Sequence, residues 1–359
     1  MRHDLVIVGG GIVGTSLAYF AVKAQPQWSV ALVEQAEIGG GASAASAGFD
    51  AVESPNAKLR ELAIRSRLLY RLMAHDVPAA RVRRLRTLWV VSEHQALSFA
   101  EHFKGHTGDY SKLRQCDRSV LPDGFSRERG NCVFEDDEDG HADVRAICRG
   151  IVHHLGANHP PFSFSEGARV TSVERQGDSC VVFLSDGRKL QSRCVAVATG
   201  AWLLGGHLDL FGRAAAPLRV KKIASLRLGQ RPQPTSPAVV YGEQGAFFMP
   251  RIESGDWLFS FTLDAWDCVP SGEMRLLPNE LAQGLAQLEA LAPGMREAVC
   301  GEQVFCDVYT PDRVPLQSAA GVPHVLVLTG FSGAGYRTAP AVAEDALNTL
   351  IDCHNTLTN

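Results

Sequence analysis

Asp4-Leu-Val-Ile-Val-Gly9-Gly10-Gly11-Ile12-Val13-Gly14 begins a unit that Val30-Ala-Leu-Val-Glu34 completes. The apolar run Leu5 to Val8 has the length of a buried strand. Gly9, Gly11 and Gly14 follow as G-x-G-x-x-G and lead into an amphipathic stretch with Ile12, Val13, Ser16, Leu17, Phe20 and Ala24 on one side. A second apolar run then ends in an acid. Strand, glycine turn, helix, strand and acid in this order form a dinucleotide fingerprint. The glycines permit a tight turn and close approach of a pyrophosphate, and Glu34 accepts hydrogen bonds from a ribose. The glycine spacing alone is a weak signal; its complete context assigns an α/β, Rossmann-like fold.

Outward from Glu34, Gly39-Gly-Gly-Ala-Ser-Ala-Ala-Ser-Ala-Gly48 is a loop of small residues where backbone passes close to something bulky. Leu59, Leu62, Ala63, Leu69, Leu72 and Met73 then recur at helical spacing and read as core packing. A basic run, Arg81 to Arg86, precedes a strand at Leu88 to Val91, and an acidic run spans Glu135 to Asp139; both read as solvated faces. With 359 residues, 45% hydrophobic and 21% charged, the chain has the balance of a globular protein of one large or two smaller domains. A formal charge of -4 argues against nucleic acid or an anionic membrane as the main partner. Nine cysteines without a C-x-x-C pair read as reduced thiols, which places the protein in the cytoplasm. No stretch has the length of an uninterrupted membrane span. The 12 histidines show no metal-ligand spacing, so no metal is expected.

Further along, Val144, Ile147, Cys148, Ile151, Val152 and Leu155 form one helical stripe. Strands are expected at Ala168 to Glu174, Cys180 to Leu184 and from Lys189 onward, the last pair joined through Asp186-Gly187. Cys194-Val-Ala-Val-Ala-Thr-Gly-Ala-Trp202 is apolar until Thr199-Gly200 and belongs in the same sheet as the first strand. After a proline-rich loop, Gly229 to Pro237, come strand-like segments at Ala246 to Met249 and Trp257 to Thr262, then a helix containing Leu281, Leu285 and Leu288. The final unit, Val325-Leu-Val-Leu-Thr-Gly330 through Gly333, Gly335 and Pro340 to Glu344, is a buried strand feeding a helix through glycines. Such a junction presents backbone N–H groups and the positive end of a helix dipole to a ligand that becomes negatively charged.

These motifs together resemble the D-amino-acid oxidase superfamily of FAD-dependent amine and amino-acid oxidoreductases, particularly the glycine oxidase, sarcosine oxidase and D-amino-acid dehydrogenase branch. Four matches carry the resemblance in family order: Val8 to Gly14 with Glu34, Gly41-Ala-Ser-Ala-Ala-Ser-Ala-Gly48, Ala198-Thr-Gly-Ala-Trp202, and Thr310-Pro-Asp312 ahead of Gly330-Phe-Ser-Gly-Ala-Gly335. The resemblance implies an FAD-binding domain of the glutathione-reductase type, discontinuous over 1–80, 141–212 and 309–359. It also implies a substrate domain on a large mixed β-sheet over 81–140 and 213–308. By position, Gly9, Gly11, Ile12, Val13 and Gly14 would hold the FAD pyrophosphate and Glu34 the adenosine ribose. Gly41, Ala42, Ser43 and Gly48 would line the cofactor, Val170 would meet the adenine, and Thr199, Gly200 and Trp202 would add contacts. Gly330, Gly333, Ala334, Gly335, Tyr336, Arg337 and Thr338 would follow the pyrimidine edge of the flavin.

Three departures from the family pattern bear on chemistry. Cys306, the thiol near the position where sarcosine-oxidase-like members attach flavin, is one residue out of register, so a non-covalent FAD is expected. Asp307 stands where glycine oxidase places a carboxylate-binding arginine, whereas Arg337 matches a lysine that binds anions in sarcosine oxidase. Arg337 is therefore the expected substrate anchor, with Tyr336 beside it and Arg251 as a further candidate. Leu258 matches the lysine that promotes oxygen reduction, which favours a dehydrogenase over an oxidase. The expected reaction is hydride transfer from an amine or amino acid to FAD. Two alternatives remain: a 2-hydroxy-acid dehydrogenase, which needs a base such as histidine near the flavin, and a non-catalytic flavin-binding subunit. The electron acceptor is open.

Overall fold

The computed structural model describes residues 2–52, 54, 56–107, 113–204 and 217–356, leaving aside the side chains of 102–107. Two eight-stranded sheets organise the chain. In the first, the order is Leu316–Ala319, Val325–Thr329, Lys189–Val197, Arg2–Val8, Val30–Val33 and Phe162–Ser165, with Ser179–Leu184 and Val170–Gln176 added as a hairpin on Lys189–Val197. The strands from Val325–Thr329 to Phe162–Ser165 are parallel. The apolar runs Leu5 to Val8, Val30 to Val33, Cys194 to Val197 and Val325 to Leu328 follow from burial on both faces, whereas Phe162–Ser165 at the edge alternates with serine. Leu5 and Ile7 pack under the helices Ile12–Ala24, Val144–Asn158 and Gly335–Asn355, whereas Val6 and Val8 pack with Val170, Val173 and Val182 opposite.

Local sequence sets the helix ends. Asp143 caps Val144–Asn158 by accepting the Ala146 N–H at 2.9 Å, and Asn56 caps Ala57–Met73 through the Lys58 and Leu59 N–H groups. Pro340, inside Gly335–Asn355, has no N–H to give the carbonyl of Tyr336, four residues back. The Tyr70 hydroxyl donates to that carbonyl at 2.8 Å instead. The Tyr70 and Tyr336 rings stack with centroids 5.0 Å apart, so the helix carrying Arg337 is fixed to Ala57–Met73.

The second sheet runs Val299–Tyr309, Arg219–Leu228, Asp256–Phe261, Ala246–Arg251, Ala238–Tyr241, Thr87–Ser92, Asn131–Asp136 and Arg114–Cys116. It is mixed because Ala238–Tyr241 pairs with Thr87–Ser92 in parallel. Phe248, Trp257, Phe259 and Phe261 alternate into a cluster with Leu288 and Leu291 of the helix Pro278–Leu291. Gly284 makes room there for the Phe261 ring, which a Cβ would approach to 2.4 Å. A buried ion pair, Lys222 Nζ to Glu280 at 2.9 Å, ties the same helix to the sheet. Phe247, Leu258 and Ser260 point the other way, toward the first sheet.

Two expectations are corrected. The acidic run is no solvated face: Glu135, Asp136 and Asp139 are buried, Glu135 against Arg114 and Arg86, and Asp139 beside Arg67. Leu72 is 61% exposed, because the apolar stripe of its helix turns to the core through Leu69, Tyr70 and Met73. The expected domain boundary at 212 lies outside the described residues. Among the described residues, no helix is long and apolar enough to cross a membrane.

Candidate active site

Glu34, Gly9, Thr199 and Gly330 follow the carboxyl ends of successive parallel strands of the first sheet. At about 4.8 Å per strand that edge spans roughly 14 Å. Ligands bind at this edge in doubly wound sheets. A cavity of about 630 Å³ covers it, roofed by the second sheet, and its size falls in the range of cofactor and ligand sites.

At the glycine end the wall is backbone. Gly9 has φ +108°, and a Cβ there would lie 2.4 Å from the Ala198 carbonyl oxygen. Gly14 lets the helix touch the strand, since a Cβ would fall 2.0 Å from the Gly9 carbonyl oxygen. The helix Ile12–Ala24 starts at Gly11 with no side-chain cap from that residue; Ser43 Oγ accepts the Ile12 N–H at 3.0 Å. Glu34 accepts the N–H groups of Gly10 at 2.7 Å and Ala36 at 2.9 Å. Thr199 Oγ1, on the cavity wall, is buried without a hydrogen-bond partner among the described residues, and a ligand polar atom would satisfy it. These features fit a bound FAD. Gly11, Ile12, Val13, Glu34, Gly41, Ala42, Ser43, Gly48, Val170, Thr199, Gly200 and Trp202 all line the cavity. Gly14 is the exception, because it supports the turn from behind.

At the far end the wall is made of side chains. The turn from Val325–Thr329 into the last helix holds Ser332 at φ +52°, an uncommon conformation for a residue with a Cβ. It is pinned by the Ser332 N–H to the Val308 carbonyl at 2.9 Å and the Gly333 N–H to Asp307 Oδ2 at 2.6 Å. Gly333, Gly335, Tyr336 and Arg337 line the cavity, whereas Gly330, Ala334 and Thr338 lie behind it and shape the turn. Thr338 does so by donating its hydroxyl to the Ala334 carbonyl at 2.8 Å. Arg337 Nη1 donates to the Ala51 carbonyl at 3.4 Å.

On the roof, Phe305, Asp307 and Tyr309 alternate on one strand and face the cavity. Burial pushes the Asp307 carboxyl up to about 6, against two backbone N–H groups that favour its charged form. Lys221, directly opposite Asp307 on the paired strand, places its ammonium 5.0 Å from the Trp266 ring and 5.5 Å from that of Tyr309. Burial, then Arg313, pulls the Lys221 ammonium below its ordinary value. The sequence reading passed over Lys221, Phe305 and Tyr309; the period-two pattern of Phe305, Asp307 and Tyr309 was the available signal.

Two of the expected substrate residues are placed differently. Tyr336 lines the cavity, with its ring packed on Tyr70 so that it braces the helix start and its Oη buried without a hydrogen-bond partner among the described residues. Arg251 is absent from the cavity wall and bonds Asp256, its Nε at 2.9 Å from Oδ1. Cys306 faces away from the cavity into a cluster with Val220, Val308 and Met274, where burial pushes its thiol up to about 12. Leu258 lines the cavity as expected, buried with Leu85, Ala238 and Met249.

No curated protein matches the chain by sequence. Solved structures share its fold. A glycine oxidase from Geobacillus kaustophilus superposes with a TM-score of 0.78 at 19% identity, covering 98% of this chain and 95% of its own. An L-proline dehydrogenase from P. horikoshii gives 0.83 at 16% identity, with 98% and 94% covered. The FAD-bound L-alpha-glycerophosphate oxidase from Mycoplasma pneumoniae gives 0.79 at 16%, with 98% and 95% covered. The sequence itself matches the family described as DAO, FAD dependent oxidoreductase, over residues 4–348, and the chain therefore belongs to that family.

Proposed function

We propose that the protein oxidises the C–N bond of an amino acid or related secondary amine, with FAD held along the cavity. The observation that carries this reading is one continuous cavity joining the glycine edge of the first sheet to Arg337. Gly9, Gly11 and the helix start would take the pyrophosphate, Glu34 the ribose, Val170 the adenine, and Gly333 to Arg337 the pyrimidine edge of the ring. The first sheet and its helices form the FAD domain, and the second sheet covers the reacting face. When bound, FAD supplies a two-electron acceptor for hydride.

The chain then has to position and desolvate the substrate. Arg337 anchors its carboxylate, held in place by the Ala51 carbonyl and by a helix fixed through Tyr70. Phe247, Leu258, Trp89 and Val240 give an apolar wall that excludes water, so the charge contacts inside act at short range and low screening. FAD is bound non-covalently, because the Cys306 thiol points into the opposite face of the sheet. A dehydrogenase is favoured, because the wall at Leu258 supplies no cation to stabilise superoxide. Glycine oxidase and L-proline dehydrogenase among the structural neighbours agree with an amine substrate. Among the described residues lining the cavity there is no histidine, the base the 2-hydroxy-acid reading looked for; the titratable carboxyl on its roof is Asp307. Anaerobic mixing with panels of amino acids, secondary amines and hydroxy acids tests the assignment. Bleaching of the flavin by a carboxylated amine is expected; bleaching by hydroxy acids alone, or by nothing, contradicts it.

A further inference from the structure

Asp307 occupies the middle of the cavity roof between Phe305 and Tyr309. Both of its oxygens are oriented by backbone, Oδ2 by the Gly333 N–H at 2.6 Å and Oδ1 by the Val308 N–H at 2.8 Å. An ionised carboxylate has about four acceptor directions, so room remains on each oxygen for a further donor. Among the described residues no ion pair neutralises it. Lys221, its direct cross-strand neighbour, is turned onto the Trp266 and Tyr309 rings instead. The other charged groups around this corner are Arg313 and Arg337, both of which act on Tyr309, as Asp307 does. An oriented carboxylate on the cavity wall, with spare acceptor sites and no ion pair among the described residues, suits a cationic ligand.

Building on the amine-oxidising function, we propose that Asp307 binds the substrate's ammonium group and takes its proton, so that the site selects charged primary or secondary amino acids and generates the neutral amine inside the cavity. The substrate is then held through its two charges by the two ends of one turn: the ammonium at Asp307, bonded to Gly333, and the carboxylate at Arg337. The balance is simple. One N–H bond breaks, its electron pair stays on nitrogen, and the proton forms the O–H bond of the Asp307 carboxyl. The neutral amine keeps the lone pair that a C=N bond needs, and a bound FAD would supply the acceptor for the carbon's hydrogen and its electron pair. Asp307 returns its proton to solvent as the iminium product departs. A carboxyl group near 6 is charged at neutral pH, yet is a stronger base than an ordinary aspartate.

Asp307→Asn removes the titrating group while its amide oxygen can still accept one of the two backbone N–H groups, and the pH profile separates the catalytic role from the structural loss of the other. The variant should retain FAD at the wild-type ratio. In anaerobic stopped-flow reduction, wild-type kred/Kd should rise with an apparent pKa near 6 for the free protein. In the variant that limb should vanish, leaving a rate about 10²-fold lower at neutral pH and recovering toward about pH 10, where the substrate amine is neutral unaided. A second readout needs no substrate. Burial raises the folded carboxyl above the unfolded value of 3.8, so the native state holds the extra proton and wild-type stability falls as pH rises from there to about 6. Asn does not titrate, so wild-type stability relative to the variant should fall as pH rises through that window, on top of a pH-independent offset from the acceptor that Asn lacks. Wild-type-like reduction at neutral pH, an equal loss at every pH, or loss of FAD in the variant would overturn the role of Asp307 alone. A wild type that no amine reduces would overturn the proposed function, and this step with it.

Discussion

The two ends of the cavity are built from different material. At the glycine end the constraints lie in backbone: a side chain at Gly9 or Gly14 would overlap main-chain oxygens, and the Ile12 N–H is met by Ser43. At the far end they lie in side chains brought together from distant strands and a helix: Asp307, Lys221, Tyr309 and Arg337. The first kind of wall can be satisfied by few residue types, because a side chain there meets main-chain atoms. The second can be rebuilt by exchanging single side chains while the sheet stays intact. In the proposed function the pyrophosphate and adenosine of the cofactor lie at the first end, and the flavin ring and substrate meet at the second.

The largest effect should come from Gly11→Val. A Cβ at Gly11 stands 3.2 Å from Ser43 Oγ, and the rest of a valine side chain enters the cavity rather than the core. Folding should survive while FAD retention is abolished; flavin retained in full by the variant would break the contrast drawn above. Lys222→Met should cost about 3–5 kcal/mol of stability by leaving Glu280 buried without its partner. Urea unfolding would read this, and an unchanged midpoint would show that the pair does not tie the helix to the roof. Arg337→Met should weaken substrate binding by about 2–5 kcal/mol if the charge pair is buried, with FAD content intact. Unchanged substrate affinity would remove Arg337 from the substrate end. The smallest effect is expected from Cys306→Ser, which should leave the flavin spectrum and its release on acid precipitation as in wild type. Colour retained in the wild-type pellet, with a flavin-sized mass on a Cys306 peptide, would show the covalent link that the orientation of Cys306 argues against.

The same division explains what could be read from the letters. Strand, glycine turn and acid are local, so Arg2–Val8, Ile12–Ala24 and Val30–Val33 were legible, as was the Asp143-capped helix. The contact of Gly14 with Gly9 is also local. The pairing of Lys221 with Asp307 joins strands far apart in sequence, and no local pattern announces it. Asp307 was read only as a missing arginine. Arg251 looked like an anchor because the reading did not include its bond to Asp256 across the hairpin end. Tyr336 sits beside Arg337 in sequence, but helical geometry sends neighbours in different directions, and its ring goes to Tyr70. Asp136 and Asp139 read as surface because acids usually are; their burial depends on tertiary packing, with Asp139 set beside Arg67.

The most direct test is a crystal structure of the FAD-loaded protein with a non-oxidisable carboxylated amine. The account predicts adenine beside Val170, the ribose on Glu34, the pyrimidine edge along Gly333 to Arg337, the ligand carboxylate on Arg337 and its nitrogen on Asp307. FAD lying elsewhere, or a ligand whose carboxylate avoids Arg337 while FAD occupies the cavity, would contradict it.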